Sequence, residues 1–140
     1  MVDELLAKYP DDLKVVIKSS PLNFHKQAKK AAQYWIAADM QGKGDEMYHK
    51  IFENFRQLKS NEDLPVQYAK QMRLNIKKFK QDANSASIIA KIDREMNEFR
   101  SAGFPRKSVP KFLIQGKEPT GGRSVDAYSA IIDAELEKLK

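Results

Sequence analysis

Two histidines, His25 and His49, and no cysteine among 140 residues limit the chemistry this chain can carry. Metal ligation needs several converging donors, and neither histidine has an acidic partner at a ligating spacing such as H-x-x-x-H, so no metal site and no cofactor are expected. His25, near a helix start, reads as a polar surface residue and His49 as a packing residue. No serine lies in a G-x-S-x-G context, and the lack of cysteine removes thiolate nucleophiles, disulfides and thiol metal sites together. Gly42-Lys-Gly44 and Gly121-Gly122-Arg123 each hold half of a phosphate-cradling motif, and neither opens a helix after a strand; both read as turns or helix stops. One stretch stands apart: KSVPKFLIQGK, Lys107 to Lys117, places Val109-Pro110 directly before a short apolar run. A proline at the first residue of a strand loses no ladder hydrogen bond, and an X-Pro peptide adopts cis at a cost of only about 0.5–1 kcal/mol, so these residues alone admit either isomer.

The elements that would position this stretch are set by hydrophobic periodicity. At 41% hydrophobic and 31% charged residues, the chain reads as one globular domain. No window approaches the roughly 18–20 apolar residues that span a bilayer, so the chain reads as soluble with no membrane partner, and MVDELLAKYP lacks the apolar core of a secretory signal. The net charge of +6 reads as a solvated basic surface. Nucleic acid is not an expected partner, because Phe24 and Trp35 fall on the helix face opposite Lys26, Lys29 and Lys30.

Asp3 to Tyr9 predicts a short helix, and the β-branched run Leu13-Lys-Val-Val-Ile-Lys18 a buried strand. Helices are predicted from Phe24 to Ala38, Asp45 to Leu58, Val66 to Leu74, from an Asn75 cap through Ala83, and from Asn84-Ser85 to Ala102-Gly103. Phe112 to Ile114 then predicts a second strand and Gln115 to Arg123 a hairpin. Ser124 caps a last helix that packs Val125, Tyr128, Ile131, Ile132, Leu136 and Leu139 on one side.

This order of pieces resembles the DsbA-like thiol:disulfide oxidoreductases, members of the thioredoxin superfamily that carry a helical domain inserted into the thioredoxin fold. KYPDDLKVVIKSSPLNFHKQAKKAAQYWIAADMQGKGDEMYHKIFEN resembles the family's run from first helix through strand, Pro-Leu loop and Ala-rich helix to the start of the insert. SVPKFLIQGK resembles its cis-proline loop and strand, and TGGRSVDAYSAIIDAELEKL its final turn and helix. The resemblance implies an α/β thioredoxin-like fold with an inserted helical domain, helix-rich and lacking its first, central strand. Residues 1–23 and 103–140 would form the thioredoxin-like part and 24–102 the helical part.

It further implies a cis Pro110, with Val109 and Pro110 as the substrate-binding pair facing the redox dithiol, and unfolded or extended polypeptides as substrates. No catalytic residue is expected in the chain, since the family's C-x-x-C segment has no counterpart here. The chain then reads as a fragment of a protein-disulfide oxidoreductase, inactive in thiol exchange by itself, with a periplasmic or extracytoplasmic location for the parent. Exposed strand edges would allow a homo-oligomer. Two other readings stay open: a kappa-class glutathione transferase and isomerase of the same fold, and a non-enzymatic module that binds peptides or a partner subunit.

Overall fold

Alternation of helix-forming runs with Gly, Pro, Asn and Ser punctuation gives seven α-helices and one 3-10 turn in the computed structural model, which describes residues 1–140. The helices are α1 (Val2–Lys8), α2 (Lys26–Asp39), α3 (Gly44–Glu53), α4 (Leu64–Gln71), α5 (Ile76–Ala83), α6 (Ala86–Ser101) and α7 (Val125–Glu137), with the 3-10 turn Gln57–Lys59 after α3. Two caps read from the sequence, at Asn75 and Ser124, are made as bonds, and Ser85 adds a third at the start of α6. Asn75 Oδ1 accepts from the Lys78 N–H at 2.9 Å, Ser85 Oγ from the Ile88 N–H at 3.4 Å, and Ser124 Oγ from the Ala127 N–H at 3.2 Å. Each satisfies one donor that the first helical turn leaves without a partner.

The expected α/β class is wrong for this structure: it contains no strand, and its β pairing is one isolated bridge between Ile114 and Lys117. Leu13 to Lys18 has strand-like composition, yet Lys14 to Lys18 make no backbone–backbone hydrogen bond, and Val16 is 70% exposed. Propensity sets only a local preference; a strand exists when a neighbour completes its ladder, and no segment of this chain lies in register beside this one. The same holds for Phe112 to Ile114, which closes on Lys117 in a single tight turn rather than joining a sheet. The sheet edge invoked for self-association is accordingly not formed. The predicted helix from Asp45 to Leu58 also divides, because α3 ends at Glu53 and the 3-10 turn is a separate element.

Two compact units result. One combines Met1–Ile17 with Pro105–Lys140, and the other is Lys18–Phe104. In the second unit α2 supplies Ile36, Ala37 and Ala38 to a core shared with Met47, Ile51, Val66, Ala69, Phe79, Ile88 and Ile92. The Tyr34 ring stacks on Phe79 with centroids 5.2 Å apart and planes 13° from parallel. The turn from α2 into α3 requires glycine at 44, where an added Cβ would stand 2.2 Å from Asp39 Oδ1.

Two sets of polar groups at the margins of this core are paired. Glu95 of α6, 6% exposed, accepts the Ser19 N–H on Oε2 at 2.7 Å and pairs with Lys91 through Oε1. The Tyr34 hydroxyl donates to Asp63 Oδ1 at 2.6 Å, and Lys30 Nζ stands 2.8 Å from the same oxygen. Lys30, and after it the Tyr34 hydroxyl, hold the Asp63 carboxyl below the ordinary carboxylate range. Burial, reinforced by the bond to Asp63, pushes the Tyr34 hydroxyl up.

The Asp63 contribution is therefore fully present above its unfolded value, near pH 4, and is lost as pH falls through the depressed folded value. Asp63 is largely exposed, which limits the effect to about 0–1 kcal/mol. Urea unfolding at pH 7 and pH 3 is expected to show Asp63→Asn less stable than the native chain at pH 7, with the gap narrowed or closed at pH 3.

Candidate functional site

The unit built from Met1–Ile17 and Pro105–Lys140 rests on the packing of α1 against α7. Leu5, Tyr9, Tyr128 and Ile132 form its buried centre, with Phe112 and Ile114 packed against them. The Tyr9 hydroxyl reaches across to α7 and donates to Asp133 Oδ1 at 2.7 Å, so the ring is buried while its polar tip is satisfied.

The segment from 105 to 123 runs onto this platform. Phe112 meets Tyr128 edge-on, with centroids 5.5 Å apart at 75°. Two residues later the chain reverses: Ile114 and Lys117 exchange N–H···O bonds of 2.9 and 3.0 Å around Gln115 (φ 48°) and Gly116 (φ 77°). Two successive left-handed residues make a type I′ turn, which Gly116 enters without strain. Lys111 pairs with Glu118 at 2.5 Å across the same turn, and Leu113 between them is half exposed.

Val109 and Pro110 stand at the entrance to this turn. Their peptide bond is cis, Val109 is half-buried and Pro110 exposed. The Pro110 carbonyl oxygen accepts a 2.9 Å bond from Arg123 Nη2, and that guanidinium lies 5.9 Å from the centroid of the Phe112 ring. The N–H and C=O of Val109 make no hydrogen bond within the chain. What the arrangement offers chemically is thus a backbone donor and acceptor on a loop held by its neighbours, with no nucleophile, acid or base aimed at it.

A family model described as thioredoxin matches residues 1–134, nearly the whole length of the chain. The chain belongs to the thioredoxin family. The chain holds no cysteine and forms no sheet. A curated relative, the Na(+)/H(+) antiporter NhaA of Herminiimonas arsenicoxydans, is 25% identical over 132 residues, which make up 94% of this chain and 20% of that protein. The thioredoxin-family chain thus spans a fifth of that relative's length. No solved structure matches it. No helix of the structure is long and apolar enough to cross a membrane.

Arg123 was legible in the sequence only as part of Gly121-Gly122-Arg123, half a phosphate motif, and nothing in that triplet points to a carbonyl 13 residues away. The structure makes it a loop contact instead. His25 is exposed at the N-cap of α2 without a side-chain capping bond. The His49 ring packs edge-on against Tyr48 and lies 2.9 Å from the Asp45 carbonyl oxygen through Nδ1.

Proposed function

We propose that this thioredoxin-family chain is the peptide-facing part of a DsbA-like protein-disulfide oxidoreductase, in which the backbone of Val109, next to Pro110, pairs with an extended substrate segment. The observation that carries the reading is the unused N–H and C=O of Val109 on a loop fixed by Arg123 and the Phe112–Tyr128 contact. Backbone pairing of this kind gains affinity from main-chain bonds and tolerates many side-chain sequences, which suits unfolded polypeptides as substrates. Thiol exchange needs a cysteine thiol, which these 140 residues do not contain, so exchange depends on a dithiol supplied from elsewhere.

The cysteine count of zero favours one second reading, a non-enzymatic module that holds extended peptides without reacting with them. Docking is common to both readings, and only the oxidoreductase adds a thiol-exchange step after it. In the test, a cysteine-free unstructured peptide is titrated into the chain with the Val109 amide followed by NMR, and insulin reduction is measured with and without an added small dithiol. Docking at Val109 with rate enhancement over the dithiol alone supports the oxidoreductase reading. Docking with no enhancement supports the binding module, and no perturbation at Val109 removes both.

A further inference from the structure

Arg123 joins two parts of its unit that the sequence holds far apart. Its Nη2 donates to the Pro110 carbonyl at 2.9 Å, while its guanidinium lies 5.9 Å from the centre of the Phe112 ring. Phe112 in turn stands edge-on to Tyr128, which is buried on α7. One side chain therefore ties a loop carbonyl to a ring anchored on a helix. The held carbonyl belongs to the Pro110–Lys111 peptide. Because the proline ring fixes φ at Pro110, the restraint passes to the Val109–Pro110 peptide, which carries the unpartnered Val109 C=O, and through it toward the unpartnered Val109 N–H one peptide further on.

We propose that Arg123 is the positioning residue of the Val109–Pro110 loop, fixing the direction in which the Val109 backbone groups are presented to an extended peptide. The proposal rests on the docking reading above and adds the group that gives the dock its geometry. The guanidinium suits the task because it is planar, donates from a fixed fork and stacks on an aromatic face. A lysine ammonium offers neither the fork nor the stacking plane. Preorganisation of this kind raises affinity by reducing the ordering cost at binding, without touching the ligand.

The test compares the full chain with Arg123→Ala and Arg123→Lys, reading the Val109 amide signal, the thermal midpoint and the affinity for a cysteine-free unstructured peptide. Arg123→Ala is expected to broaden or shift the Val109 signal and to weaken peptide binding about five- to tenfold, with the midpoint nearly unchanged. Arg123→Lys is expected to recover little of either. An Arg123→Ala chain that keeps the native Val109 signal and affinity would overturn the proposal. So would a loss of affinity that comes with a large fall in midpoint and loss of the Tyr128 signals, because Arg123 would then be a support of the whole unit. Should the native chain bind no peptide, the docking reading fails, and the Val109 signal alone decides: unchanged by Arg123→Ala it overturns the positioning role, displaced it supports it.

Discussion

Replacing Phe79 by alanine is expected to lower the unfolding free energy by about 3–5 kcal/mol, the range found when a fully buried aromatic ring is deleted from a core that cannot collapse around the gap. Phe79 is 0% exposed, and one face of its ring is covered by Tyr34. Its helix packs against α2 and α4, so the cavity would be lined by residues fixed on other helices and would fill poorly. Against a total stability of about 5–15 kcal/mol for a domain of ordinary size, the loss would remove a large share of what holds the Lys18–Phe104 unit folded. Urea unfolding followed by far-ultraviolet circular dichroism measures it. A cost under about 1 kcal/mol would mean that the ring does not occupy the centre of this core.

Glu95→Ala is the second substitution with a large expected cost, about 1–3 kcal/mol, the penalty for stranding a buried hydrogen-bonding group. Glu95 gives the Ser19 N–H its acceptor at 2.7 Å and offers its other oxygen to Lys91. The Ser19 hydroxyl is itself buried without a partner, so losing Glu95 would add a second unsatisfied group at the same residue. Glu95→Gln keeps an oxygen for the Ser19 N–H and is expected to cost clearly less than Glu95→Ala. Hydrogen exchange at Ser19 distinguishes the two: fast in the alanine variant, still protected in the glutamine variant. Equal protection in both would show that the carboxylate does not hold this segment.

The helices were legible because their signals are local. Asn75, Ser85 and Ser124 announce helix starts within three residues of the bonds they make, and the Ile88, Ile92 and Met96 stripe needs only helical periodicity to find its core. The strands were not legible in the same sense. Val15, Val16 and Ile17 carry the right composition, but whether they form a strand depends on a neighbour that composition does not reveal, and here they remain at least 40% exposed. Long-range polar contacts were hidden for a related reason. The pairs Tyr34–Asp63, Ser19–Glu95 and Pro110–Arg123 span 29, 76 and 13 residues, and no spacing rule links them. At the candidate site, Val109 and Pro110 could be singled out from the sequence, whereas the groups that hold them in place could not.

The proposed peptide docking assigns the pairing to the Val109 backbone, and the most direct measurement alters only that backbone. A semisynthetic chain in which the Val109 N–H is replaced by an ester oxygen removes one donor and leaves every side chain in place. Titrated with the same cysteine-free peptide, it is expected to bind about three- to tenfold more weakly than the native chain, which corresponds to the loss of one net hydrogen bond of about 0.5–1.5 kcal/mol. Equal affinity of the two chains would show that the peptide does not pair with Val109 and would contradict the assignment of this loop as the docking point.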